Sequence, residues 1–159
     1  MNIFATSSCP TDCANSLDDI RGNKLILENA QMLSTALRSR GCTHPSLYKP
    51  FNPKHPCNVW VYTTLENFQW LVEHSYALCS LKPTKHSSMK VIQLCEKLGP
   101  NYLPSLFLSK FANCAKNDSL GIDYTAYPVY EAYRKYLVCR WEHDTIKLTW
   151  KNRNKPSWS

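Results

Sequence analysis

Residues 19–39 read DIRGNKLILENAQMLSTALRS, a proline-free run with Gly41 just past its end. At about 100° per residue, Ile26, Ala30, Leu33 and Leu37 share one face of a helix, and Leu25, Met32 and Ala36 form a second apolar strip. Arg21, Lys24, Glu28, Gln31 and Thr35 fall together beside that strip, within an arc of about 80°. A surface helix usually carries a broad polar face and a narrow apolar one. The reverse here predicts a central helix over Asp19–Ser39 with a single polar stripe. Two readings of the stripe stand side by side. In one it is partly exposed, and Lys24 and Glu28 form an i,i+4 pair worth about 0.2–0.5 kcal/mol. In the other it faces a pocket, where Glu28 stabilises a developing cation or moves a proton while Arg21 and Lys24 hold phosphate or sugar oxygens.

Outward from this helix, Pro10, Thr11 and Asp12 mark an earlier helix start, because proline fits a first turn and Asp suits the positive helix end. Residues 42–57 contain four prolines and no helical period, which predicts a loop. Thr63 and Glu66 have capping-box spacing and open a helix over Thr64–Leu81, ended by Pro83. Ser87 caps a further helix, Ser88–Leu98, closed by Gly99. A helix over Leu106–Ala115 and a last one from Pro128 to Trp141 complete the chain, with a basic, aromatic tail over 145–159. Residues 2–5 are a short apolar run with room for a minor strand. The expected fold is a mainly α, single-domain helical bundle over 1–159 with long ordered loops.

The chain has 159 residues, 43% of them hydrophobic, which is enough for one sizeable core. No apolar run reaches membrane-span length, and the first residues lack the basic and apolar regions of a secretory signal. A reducing, cytoplasmic location is therefore expected, and the eight cysteines read as reduced and mostly buried thiols. Local spacing supports no metal: His55-Pro56-Cys57, Cys42-Thr43-His44 and Cys139 with His143 form no known zinc pattern. No cofactor motif is present.

Nineteen Lys+Arg face twelve Asp+Glu, a net charge of +7. Basic residues such as Lys85, His86 and Arg134, and tail lysines interleaved with Trp150 and Trp158, suit phosphates and bases. They also suit an ordinary basic surface with the tail rings packed on the core. His55, beside Pro56 in the proline-rich loop, and Trp60 are candidates to line a site. Asn67 and His74 lie off the apolar stripe of their helix and are expected to be half-buried.

Several blocks taken together resemble a family of small bacteriophage proteins: the start MNIF, KLILENAQMLSTA at 24–36, HPCNVW at 55–60, and LENFQWLV at 65–72. Lys85-His86-Ser87, Tyr133-Arg134 with Tyr136, and Pro156 with Trp158 follow in the same order. Some members of that family resemble pyrimidine-dimer DNA glycosylases of the endonuclease V type. The resemblance implies DNA as the partner and repair-type glycosylase/lyase chemistry. On that resemblance an N-terminal α-amine would attack the sugar, Glu28 would stabilise the resulting cation, and Arg21, Lys24 and Gln31 would meet the nucleic acid. Trp60 would support a displaced base. Relatives carry an Asp-Lys-His run where this chain has Asp19-Ile20-Arg21. Asn2 is bulky enough to leave Met1 in place, so on this resemblance either the amine belongs to Met1 or the mechanism differs. A non-enzymatic phage protein that binds a nucleotide, a signalling molecule or a host protein to blunt host defence fits the same residues.

Overall fold

Asp18 starts the central helix by accepting from the backbone N–H of Ile20 and Arg21 at 3.1 and 3.0 Å, which satisfies two of the free donors of the first turn. In the computed structural model, which describes residues 1–159, this helix (α2) spans Asp19–Ser39 as its periodicity predicts. Both of its apolar strips are buried. Around it stand α1 (Pro10–Ser16), α3 (Pro56–Thr63), α4 (Leu65–Ser80), α5 (Met89–Leu98) and α6 (Val129–His143). Helix α2 packs against α3, α4 and α5, and α1 packs on α4. No helix is long and apolar enough to cross a membrane. The molecule is a mainly α domain.

Four local expectations need correction. Residues 2–5 form no strand, because Asn2 Oδ1 accepts from the N–H groups of Ile3 and Phe4 and turns the chain. The only sheet is a short antiparallel ribbon, β1 (Lys116–Asn117) with β2 (Ile122–Asp123). Within the proline-rich stretch, Pro56 is the first residue of α3 rather than the end of a loop. Residues 106–115 are not helical: Leu106 N–H donates to Glu66 Oε2 and Ser109 N–H to Asn67 Oδ1, which holds the segment extended across the start of α4. Those bonds use Glu66 and Asn67, and the cap of α4 is Thr64, whose Oγ1 accepts from Asn67 N at 3.1 Å.

The aromatic tail packs on the body. Trp141 of α6 stacks on Trp158 and meets Trp150 edge-on. Trp150 Nε1 donates to Ser16 O, and Arg153 donates to Asp19 Oδ1 at 2.8 Å. Both tail tryptophans are therefore committed to packing the C-terminus beside the start of α2.

Candidate functional site

The polar stripe of α2 divides into two halves. Its C-terminal half is covered by the 42–55 loop: Thr35 Oγ1 accepts from Phe51 N, and Gln31 lies in a shallow hollow with Tyr48 and Phe51. Its N-terminal half, Arg21, Lys24 and Glu28, lines a cavity of about 340 Å³. Leu25 of the same helix and Met1, Asn2, Phe4, His55, Cys114, Lys116, Tyr136 and Arg140 complete the wall. The volume falls at the lower end of the range for small-ligand sites.

The chain start is held firmly in this cavity. Asn2 Nδ2 donates to Cys114 O at 3.1 Å while its Oδ1 accepts the next two backbone N–H groups. Phe4 consequently sits at φ 45°, a left-handed conformation that a bulky residue adopts only when its surroundings impose it. Its ring packs against Tyr133 and Tyr136, which supplies that constraint. At the other end of the turn, Met1 Sδ accepts from Asn58 Nδ2 at 3.2 Å. These contacts leave the α-amino nitrogen of Met1 3.8 Å from Glu28 Oε2. Lys24 Nζ approaches the other oxygen of the same carboxylate at 3.6 Å. Glu28 is mostly buried, its side chain 16% exposed, whereas Lys24 reaches out into solvent with 76% exposed.

The cations of the wall differ in how free they are. Arg21 is fully engaged, donating to Asp18 at 2.8 Å and to Asp144 at 2.7 Å. Asp18 in turn accepts from Trp141 Nε1 at 2.9 Å. Lys116 pairs with Asp118 and, more loosely, with Asp123 on the ribbon. Arg140, from α6, makes no hydrogen bond or ion pair. With Lys24 it is the readiest to meet an incoming anion.

The inner wall carries sulfur. Cys57 Sγ lies 3.6 Å from Cys114 Sγ. The hydrogen bond from Cys57, with a smaller contribution from the amino terminus, pulls the Cys114 thiol down to about 7 against its burial, while the same bond and burial push Cys57 up. His55 caps α3, its Nδ1 accepting from Cys57 N at 3.2 Å. Partial burial, and then the nearby amino terminus, hold its imidazole below the usual histidine range.

Of the residues singled out in the sequence, Met1, Arg21, Lys24, Glu28 and His55 meet in this one cavity. The others do not. Trp60 is buried in an aromatic cluster, stacked on Phe111 at 4.8 Å and edge-on to Trp70, so it has no face to offer a base. Asn67 is fully buried and bonds Trp60 O and Ser109. Lys85 and His86 belong to the turn before α5, where His86 Nδ1 accepts from Ser88 N. Arg134 donates to Thr6 O and lies over the Trp158 ring, in a different hollow on α6. Tyr136 enters the sequence reading only through the resemblance, and Arg140, Lys116 and Cys114 escape it because they reach the cavity from distant parts of the chain. Arg140 alone carried a signal, as a cation on the last predicted helix.

No protein-family model matches the chain, and no curated protein or solved structure matches it.

Proposed function

We propose that the cavity is the active site of a DNA glycosylase/lyase acting on damaged or modified pyrimidines, with the Met1 α-amine as nucleophile. The observation that carries this reading is the 3.8 Å approach of the amine to Glu28 inside a cavity rimmed by cations. An amine is a nucleophile able to form a covalent adduct with a sugar carbon, and Glu28 beside it can accept its proton. Apo geometry at an active site is often looser than the reacting geometry, and 3.8 Å fits that pattern.

The chemistry follows from the groups present. The neutral amine adds to C1′ of the nucleotide, and the C1′–N bond breaks with its electron pair leaving on the base. The amine's proton passes to Glu28, which gives it to O4′ as the sugar ring opens, leaving an iminium between C1′ and the Met1 nitrogen. Before it takes that proton, the Glu28 carboxylate faces C1′ and stabilises the positive charge that develops as the base leaves. Glu28, a carboxylate again, takes a proton from C2′, the electron pair of that C–H bond expels the 3′ phosphate, and water then hydrolyses the imine to free the amine. Lys24 and Arg140 hold the flanking phosphates. Arg21 acts one step back, fixing Asp18, Asp144 and the start of the helix that carries Glu28.

Incubation with ultraviolet-irradiated supercoiled plasmid tests the reading. Nicking by the native chain and its loss in Glu28→Gln, with DNA binding kept, is the expected result. The alternative is a non-enzymatic phage protein that holds a nucleotide or a host protein, and the gathering of Lys24, Lys116 and Arg140 on one wall favours it. In that case Glu28→Gln leaves binding intact and no nicking occurs with any variant, while Lys24→Ala and Arg140→Ala abolish binding.

A further inference from the structure

His55, Cys57 and Cys114 bring one ring nitrogen and two sulfurs within 4.8 Å of one another at the inner wall of the cavity. We infer that these three side chains form a binding site for a single thiophilic divalent cation of the zinc class. The inference is independent of the glycosylase reading, because it rests on the ligand set rather than on the amine or Glu28.

The donor chemistry fits. Two thiolates and an imidazole are the ligands that select zinc over calcium or magnesium, and three protein ligands with a fourth position open is the arrangement of catalytic zinc sites. The spacing fits as well. Zinc–sulfur bonds of about 2.3 Å at a tetrahedral angle place two sulfurs about 3.8 Å apart, and here they stand at 3.6 Å. The widest separation within the set exceeds what a bound ion requires by about 1 Å, which a side-chain rotation closes.

The site also has an entrance. Cys57 is fully buried, but His55 and Cys114 are half-buried and line the cavity, so the fourth coordination position opens toward solvent and takes water. Uptake has one local cost. Nδ1 of His55 accepts the cap bond from Cys57 N. Either ring nitrogen can serve only by giving up that bond: Nδ1 by turning its lone pair to the ion, Nε2 by moving the ring proton to Nδ1. In return the ion ties the start of α3 to the segment ahead of β1. Neither segment predicts this alone, since the third ligand lies 57 residues from the second.

The test uses the full, untagged chain under a non-thiol reductant, loaded with zinc, dialysed and measured by elemental analysis. One zinc per chain is expected, falling by about tenfold or more in occupancy for Cys114→Ser and for His55→Ala. Cobalt(II) added to the metal-free chain should give sulfur-to-metal charge-transfer absorption and intense tetrahedral d–d bands, a readout that needs no variant to fold. Cys79→Ser, whose sulfur lies outside the cluster, should retain full occupancy. Background zinc with both thiols free and no cobalt charge-transfer band would overturn the inference, as would equal zinc loss in Cys79→Ser. Plasmid nicking is scored separately, so failure of either claim leaves the other standing.

Discussion

Asp18 grips Arg21 twice: it caps the helix by accepting the Arg21 backbone N–H at 3.0 Å, and it accepts the guanidinium at 2.8 Å. With Trp141 Nε1 on the same carboxylate and Asp144 on the far side of the guanidinium, this knot ties α2 to α6. Asp18 is fully buried, so the pair matters through what remains when one partner is removed.

Asp18→Ala should therefore lower the unfolding free energy by about 3 kcal/mol or more, since it removes a cap and leaves Arg21 half-buried with one partner. Arg21→Lys should recover little of a comparable loss in Arg21→Ala, because an ammonium cannot bridge two carboxylates in the planar way a guanidinium does. Urea unfolding followed by tryptophan fluorescence measures both.

Lys24 and Arg140 are expected to behave differently from Arg21. Neither holds the fold together, and each alanine variant should melt within about 0.5 kcal/mol of the native chain. If both meet phosphates, each substitution should weaken DNA binding on any sequence. Each should also reduce the slope of log K against log salt by about 0.9. Fluorescence anisotropy across a salt series reads the slope directly.

His74 gives the stability a pH dependence. It is fully buried between α4 and α2, stacked on Trp70 at 5.2 Å, with Nδ1 accepting from Asn29 and Nε2 without a partner. Burial depresses its titration to about 3. As the pH falls below about 6.5 the unfolded chain takes up a proton at this ring, while the folded chain does not until near 3. Stability is therefore complete above about 6.5 and declines below it, by about 1.4 kcal/mol per pH unit, or about 2 kcal/mol at pH 5. His74→Leu should flatten this decline, even though it removes the bond to Asn29. Unfolding curves at pH 7.5 and 5 for both chains give the comparison.

Gly99 tests the packing at the end of α5. A Cβ there would lie 2.8 Å from Phe68 Cε1 and 3.1 Å from Cδ1, and that ring is buried in the core. The backbone at Gly99 is ordinary, φ −45°, so space alone is the obstacle. Gly99→Ala should destabilise by about 1–3 kcal/mol, and a drop in thermal midpoint would show it.

The sequence exposed α2 to the residue because its periodicity is a property of one continuous segment whose partners cover both apolar strips. Helix α3 was hidden by the prolines before it, although Pro56 at the first helical position was itself a start signal. The 106–115 segment has helical propensity, but its N–H groups find Glu66 and Asn67 on the start of α4, and those long-range bonds prevail over local preference. The cavity shows the same division. Arg21, Lys24 and Glu28 could be read together because one helix carries them at a spacing of three and four. Cys114 and Arg140 come from separate parts of the chain, and only the assembled fold brings them to Met1.

The most direct measurement is reduction of the chain with borohydride in the presence of an oligonucleotide carrying an abasic or ultraviolet-damaged site, followed by peptide mapping. A covalent adduct on the α-nitrogen of Met1 is expected, formed by the native chain and lost in Glu28→Gln. An adduct on a lysine side chain, or no adduct from a folded chain that still binds the DNA, would contradict it.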